Sequence, residues 1–253
     1  MSNFWRIVNR VLYESDILLI VLDARLIDET RNVELEQKIS KLKKKQLLVI
    51  NKSDLVSIHY LRGVKRSNFE LSNSVFLSCR KHMGTAILRE KIFEIAKDLP
   101  TALVKIGVLG YPNTGKSSVI NAMCGRKAAS VSPESGHTRS LKLIKMTSHI
   151  YFFDTPGVIP FLEKDEVKHA LIASKNPAEL KNPLMVVDEL FRLAEVYIEK
   201  FYKIKFDKKD DVEAKLTKLA VKFGKLKKGG IPDIETMSLI VIRDWQTGKI
   251  SLI

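Results

Sequence analysis

Short apolar runs alternate with amphipathic stretches along the first two thirds of the chain. Residues 3–14 repeat apolar positions at helical spacing, and the continuous apolar run Ile17–Asp23 is typical of a strand buried on both faces. Residues 34–45 have the pattern of an amphipathic helix ending in lysines, where the helix dipole favours cations. Alternating strands and helices predict a doubly wound, mostly parallel α/β sheet.

Similar patterns cover the rest of the chain. Further strands are predicted at 46–50, 75–77, 104–109, 141–146 and 150–153, and further helices at 84–99 and 116–123. Residues 58–74 are polar and fit either a helix or a loop. Beyond about residue 162 only long helical patterns remain, at 184–204, 212–226 and 234–245. We therefore expect an α/β domain over 1–162 and a smaller all-α domain over 163–253.

A glycine-rich loop at 110–117 joins a predicted strand to a predicted helix and matches G-x-x-x-x-G-K-S. Such a loop turns its backbone N–H groups toward phosphates. Lys116 is expected to reach the β- and γ-phosphates, and Ser117 to bind Mg²⁺. The nucleotide-binding residues predicted in this segment are Asn113, Thr114, Gly115, Lys116, Ser117 and Ser118.

The tetrapeptide Asn-Lys-Ser-Asp at 51–54 follows another predicted strand. Guanine presents two donors, N1–H and N2–H₂, on one edge, and the Asp54 carboxylate can accept both, whereas adenine has no such pair. Lys52 is expected to lie across the base. Asn51 is expected to tie this segment to the nucleotide and to the phosphate loop. The tetrapeptide therefore predicts selection of guanine nucleotides.

Three further segments supply the remaining expected ligands. Ser78 and Cys79, after the predicted strand 75–77, are expected to offer backbone N–H groups to guanine O6. Asp154 is expected to hold Mg²⁺, and the N–H of Gly157 to meet the γ-phosphate. Thr138, in a polar loop, is the candidate for a mobile threonine that closes on Mg²⁺ and the γ-phosphate. Together with Lys116 these segments predict a GTP site that binds GTP or GDP.

The base-selecting tetrapeptide precedes the phosphate loop, which reverses the usual GTPase order. With Asp23-Ala24-Arg25, the loop at 110–118 and Asp-Thr-Pro-Gly at 154–157, this order resembles the circularly permuted GTPases of the YlqF/YawG type, of the TRAFAC class. The resemblance covers about residues 4–160 and is weaker over 229–249. It implies a circularly permuted P-loop GTPase domain followed by a helical domain. It also implies GTP hydrolysis coupled to large-subunit assembly, with ribosomal RNA or the pre-ribosome as partner.

The expected catalytic residues are Lys116, Thr138 and Asn113. Many GTPases orient the attacking water with a Gln that here is replaced by Val158, so we expect slow intrinsic turnover. In related GTPases an Asn at the position of Asn113 helps to bind K⁺, which predicts K⁺-stimulated hydrolysis. The alternative is that Asn113 only caps the loop.

The net charge of +14 favours a polyanionic partner, although a merely lysine-rich surface is the alternative. Residues 200–228 contain eleven lysines against four acids, which predicts a phosphate-binding surface that recognises RNA by shape. No apolar run is long enough to span a bilayer. We expect a cytoplasmic monomer. The remaining rivals are a protein-recruiting GTP switch and a basic peripheral-membrane GTPase.

Overall fold

The structure is a computed structural model that describes residues 3–125, 142–154 and 165–253. The chain divides into two compact units, Met1–Glu163 and Lys164–Ile253. The first unit is mixed α/β and the second contains only helices and irregular segments in its described part. This confirms the predicted fold class.

The first unit is built on a sheet whose six described strands have the order β3-β2-β1-β4-β6-β5. All neighbouring pairs are parallel except β5 and β6, which are antiparallel. The strands are β1 (Ile17–Asp23), β2 (Lys45–Asn51), β3 (Val75–Phe76), β4 (Val104–Leu109), β5 (Lys142–Lys145) and β6 (Ile150–Asp154).

The described helices of this unit are α1 (Asn3–Glu14), α2 (Ile27–Thr30), α3 (Val33–Lys41), α4 (Ile58–Ser67), α5 (Thr85–Lys97) and α6 (Lys116–Cys124). Helix α3 ends four residues before the predicted boundary. The reason is local, because Lys43 adopts a left-handed φ of 52° and Lys45 already begins β2. The region left open at 58–74 forms α4 and the short 3₁₀ turn Phe69–Leu71, and the Ser57 hydroxyl accepts from the Tyr60 N–H at the start of α4.

Strand β1 lies at the centre of the sheet and is buried along its whole length. It pairs with β2 on one side and with β4 on the other. The chain proceeds from β1 to β2 and β3 on one side, whereas β4, β6 and β5 lie on the other. Ligands bind to open α/β sheets at such a reversal, outside the carboxyl ends of the strands. The site is therefore expected above β1 and β4.

The second unit contains α7 (Glu166–Leu171), α8 (Pro183–Tyr202), α9 (Val212–Lys222) and α10 (Ile234–Gln246). Helix α9 ends before the predicted residue 226, because Gly224 takes a left-handed φ of 63° and the Lys225 N–H turns back to the Ala220 carbonyl. Trp245 is buried, and its indole N–H donates to the Leu171 carbonyl at 2.9 Å. Its ring is therefore part of the core of this unit. No helix in the described part of the chain is both long and apolar enough to cross a membrane.

Candidate functional site

The carboxyl ends of four parallel strands bring the predicted motifs to one edge of the sheet. Asp23, Asn51 and Asp154 are the last residues of β1, β2 and β6, and the glycine-rich loop follows β4. In the register of the sheet Asp23 lies beside Asn51, and Phe153 lies beside Gly107. Segments that are distant in sequence therefore meet at this edge.

Two glycines allow the loop at 110–117 to pass close to its neighbours. Gly110 has a φ of 146°, and a Cβ there would lie 2.4 Å from the Val21 carbonyl oxygen. Gly115, which precedes α6, has a φ of 99°, and a Cβ there would lie 2.2 Å from Nδ2 of Asn51. Both positions exclude a side chain by conformation and by space. The loop therefore packs closely against the tetrapeptide at 51–54, at the contact between Gly115 and Asn51.

Asn51 joins three motifs through one buried side chain. Its Nδ2 donates to the Thr114 carbonyl oxygen at 2.9 Å, and its Oδ1 accepts from the Cys79 N–H at 3.3 Å. Asn51 is only 3% exposed, so these bonds are shielded from water. The tie to the phosphate loop was expected from sequence, whereas the bond to Cys79 was not.

Asp54 is oriented by the segment that follows β3. The Ser78 hydroxyl donates to Oδ1 of Asp54 at 2.6 Å and accepts from the Lys81 N–H at 3.1 Å. The Ser78 N–H donates to the Met83 carbonyl at 3.0 Å, so Ser78 acts here through its hydroxyl and not through the backbone group expected from sequence. The Cys79 N–H also has a partner, because it donates to Oδ1 of Asn51 at 3.3 Å.

The Cys79 thiol is not suited to nucleophilic chemistry. Burial, together with the nearby Asp54 carboxylate, raises the pKa of Cys79 to about 12. The thiol is therefore protonated at neutral pH, and the thiolate is the reactive form of cysteine. Cys79 contributes to the site through its backbone.

A buried charge cluster holds Lys52 beside the end of β1. Lys52, whose φ of 59° is left-handed, places Nζ 2.7 Å from Oδ2 of Asp23. Arg25 contacts the same carboxylate through Nη2 at 2.9 Å and Nε at 3.2 Å. Burial opposes ionisation of Asp23, but the two cations outweigh it and hold its pKa well below the usual range. Burial lowers the pKa of Lys52 in spite of Asp23.

The remaining loop residues lie at the start of α6. Lys116 is buried and its Nζ donates to the Tyr111 carbonyl oxygen at 2.8 Å. Asn113 adopts a left-handed φ of 59°. Ser117 and Ser118 are partly buried in the first turn of α6. A lysine and an N-terminal helix turn converge here, as anion sites at helix N-termini require.

Two of the predicted site residues, Thr138 and Gly157, lie outside the described residues, and Asp154 is described by its backbone position at the end of β6. Sequence reasoning assigned no role to Asp23 or Arg25, which the structure places beside Lys52. The signal was available, because an acid that directly follows a fully apolar strand lies at the ligand-binding edge of a parallel sheet.

The chain is similar to several known GTP-binding proteins. A family model described as "50S ribosome-binding GTPase" matches residues 105–220. A GTP-binding protein of Methanocaldococcus jannaschii is 35% identical over 97% of this chain and 65% of its own length. Nucleolar GTP-binding protein 2 of Pneumocystis carinii is 31% identical over 98% of this chain and 53% of its own length. The GNP-bound YlqF of T. maritima superposes with a TM-score of 0.63 at 19% identity, covering 98% of this chain and 95% of that one.

The fold and the motif order define a circularly permuted P-loop protein, and the chain is similar in sequence to GTP-binding proteins and in fold to YlqF. The chain spans only about half to two thirds of the length of the curated relatives reported above. The likeness to YlqF, at 19% identity, concerns the fold.

Proposed function

We propose that this chain binds GTP and GDP at the carboxyl edge of the sheet and hydrolyses GTP. The observation that carries the proposal is the Asn51 side chain, which connects the phosphate loop at Thr114 to the Cys79 segment. One group thus aligns the expected base-binding and phosphate-binding parts. The close approach of Gly115 to the Asn51 side chain leaves no room for a Cβ. This contact supports a single conformation of the phosphate loop.

Guanine selection is assigned to Asp54. The Ser78 hydroxyl restrains one carboxylate oxygen, which limits rotation of the side chain that accepts N1–H and N2–H₂. Hydrogen bonds to charged groups contribute about 1.5–3 kcal/mol each, so two of them support selectivity of a hundredfold or more. The Cys79 N–H is assigned to guanine O6, to which it would donate in addition to its long bond of 3.3 Å to Oδ1 of Asn51. Lys52, held by Asp23, is assigned to the face of the base.

Mg²⁺ fits the hard oxygen donors that the sequence supplies, namely the hydroxyls of Ser117 and Thr138 and the carboxylate of Asp154. Held by these residues, Mg²⁺ would supply positive charge that offsets the negative charge of the phosphates. Lys116 is assigned to the β- and γ-phosphates, Gly157 to the γ-phosphate, and Asn113 to a K⁺ ion beside them. Val158 supplies no group that orients water, which supports slow intrinsic turnover.

The cellular role we propose is a switch in assembly of the large ribosomal subunit, exerted by a cytoplasmic monomer. The support is the description of the matching family and the nucleolar relative, together with the net charge of +14. A protein partner or a membrane surface is the alternative target.

The basic surface of the second unit is smaller than the lysine count indicates. Of the eleven lysines at 200–228, four form ion pairs with acids and two donate to backbone carbonyls. Among the described residues, five of the eleven are exposed and have neither an ion pair nor a bond to a backbone carbonyl, namely Lys203, Lys208, Lys209, Lys225 and Lys228. We assign RNA phosphate contacts to these five.

Two measurements test the proposal. Lys116→Ala is expected to abolish binding of a fluorescent GTP analogue, whereas Lys97→Ala, an exposed lysine at the end of α5, is expected to leave it unchanged. Sedimentation with ribosomal particles or with anionic liposomes, at two salt concentrations, tests the partner. Salt-sensitive pelleting with large-subunit particles supports the ribosomal role, and pelleting with liposomes alone contradicts it.

A further inference from the structure

An open cavity of about 230 Å³ lies between the carboxyl ends of α8 and α9 and one side of α10. Its walls include Phe201, Tyr202, Phe223, Met237 and Ile240. Phe201 is 38% exposed and Phe223 is 44% exposed, so both rings are accessible from solvent. The cavity is thus apolar, aromatic and open on one side.

Ring packing and hydrogen bonds hold Tyr202, one of the lining residues. The Tyr202 ring packs edge-on against Phe201 and Phe223, with centroids 4.8 Å and 5.4 Å away. Its hydroxyl donates to Oδ2 of the buried Asp244 at 2.8 Å, and Lys249 pairs with Oδ1 of the same carboxylate at 2.7 Å. Burial and Asp244 raise the pKa of Tyr202, so the hydroxyl keeps its proton. These contacts restrain the Tyr202 ring.

The rim of the cavity is basic. Lys225 is one of the lining residues, Lys203 directly follows the lining residue Tyr202 in the chain, and both lysines are exposed. Beyond Lys225 the chain makes a tight turn in which Lys228 precedes Gly229 and Gly230, with φ values of 83° and 77°.

Backbone bonds hold that turn in place, since the Lys227 N–H donates to the Ile231 carbonyl at 2.7 Å and the Asp233 N–H to the Lys225 carbonyl at 2.8 Å. No heavy atom outside their immediate chain neighbours lies within 4 Å of where a Cβ would stand on Gly229 or Gly230. Exposed glycine backbone of this kind lets a second chain approach closely.

We propose that the cavity accommodates one unpaired base of an RNA, with the adjoining phosphates on Lys203, Lys225 and Lys228. This inference rests on the proposed pre-ribosomal role. Unpaired bases stack on aromatic side chains while lysines follow the backbone, whereas bases inside an A-form duplex are not available for stacking. The RNA would then be selected by a flipped-out nucleotide and not by duplex shape alone.

The shape of the cavity favours a base over an acidic amphipathic helix. A docked helix uses several anchors spaced along two turns and needs an extended groove. Here the aromatic side chains line one short open cavity of about 230 Å³, and Tyr202 and Asp244 belong to the same lining. A single planar ring fits this arrangement, and the positive rim suits the flanking phosphates.

The test measures binding of the full chain to two RNA hairpins, one fully paired and one with a single unpaired adenosine in the same stem. We expect about tenfold tighter binding of the bulged hairpin, the range found for one stacked base. Phe223→Leu should remove this preference. Phe93→Leu, which changes a ring of similar exposure (37%) on α5, should retain it. Lys228→Ala should weaken both complexes and reduce the salt slope while the preference remains.

Equal wild-type affinity for the two hairpins would overturn the inference, as would an unchanged preference in Phe223→Leu. An acidic amphipathic peptide that binds the cavity and resists displacement by the bulged hairpin would also overturn it, in favour of a protein partner. Fluorescence of the buried Trp245 shows whether each variant is folded in this unit. If the wild type still pellets with large-subunit particles while the two hairpins bind equally, the proposed function stands and only the base-binding inference fails.

Discussion

The Asn51 side chain donates from Nδ2 to the carbonyl oxygen of Thr114, 63 positions away, at 2.9 Å. This bond connects the end of β2 to the phosphate loop across the switch point of the sheet. It does not depend on which motif comes first in the chain, because both segments follow parallel strands that end at the same edge. The permuted order and the assembled site are therefore compatible.

Gly115→Ala is expected to abolish guanine-nucleotide binding, because the new Cβ would lie 2.2 Å from Nδ2 of Asn51 at a φ of 99°. Gly125→Ala is the matched control. Gly125 caps the other end of α6 at a φ of 68°, and a Cβ there would have no heavy atom within 4 Å outside its chain neighbours. The control should cost about 1 kcal/mol of stability and keep its nucleotide affinity. Isothermal titration with GDP separates the two outcomes, and equal affinities would contradict the close fit.

Asp54→Asn is expected to weaken GTP binding by a hundredfold or more, because two charge-assisted bonds of about 1.5–3 kcal/mol each are lost. The same change should favour xanthosine nucleotides, since the amide can donate to the carbonyl that xanthine carries at C2. Competition between GTP and xanthosine triphosphate measures the switch. An unaltered preference for GTP would remove Asp54 from its assigned role.

Asp23→Asn is expected to lower the free energy of unfolding by about 3–5 kcal/mol, because the buried Arg25 and the partly buried Lys52 lose their counter-charge. The side chains of Asp23 and Arg25 are at most 1% exposed. Glu14→Gln breaks the surface pair with Arg10 and should cost under about 1 kcal/mol. Urea unfolding at neutral pH compares the two. If both variants lose a similar free energy of unfolding, the buried cluster stabilises the fold no more than a surface ion pair does.

The same cluster predicts a pH dependence. The pKa of Asp23 is lower in the folded chain than in the unfolded one, so its contribution to stability is complete above the unfolded value. That contribution should be lost as the pH falls from about 5 toward 2. Asp23→Asn should flatten this part of the stability profile, measured as the urea midpoint at successive pH values. If the urea midpoint of Asp23→Asn falls with pH in the same way as that of the wild type, Asp23 is not the source of the acid dependence.

Asn113→Gly tests K⁺ stimulation at a position where glycine tolerates the left-handed φ of 59° that Asn113 adopts. The wild type should hydrolyse GTP faster in KCl than in NaCl of equal concentration. The variant should show the same slow rate in both salts and retain its affinity for GDP. If the wild-type rates in KCl and NaCl are equal, Asn113 is left with a loop-capping role.

The sequence by itself determined the elements and the motifs at their ends. The apolar run of β1, the strand before Asn51 and the glycine-rich loop after β4 depend on local periodicity, which is visible without the fold. The predicted ends of α3 and α9 lie beyond the observed ends. In each case a left-handed residue, Lys43 or Gly224, ends the helix although the amphipathic pattern of the sequence continues.

Only the tertiary structure decided which side chains meet. The bonds of Asn51 to Thr114 and Cys79, and the contacts of Asp23 with Arg25 and Lys52, follow from strand order and from the close approach of loops. The lysines of the second unit divide into paired and unpaired sets for the same reason. Side-chain pairing is set by distances across the fold, and a pattern along the chain contains no such distances.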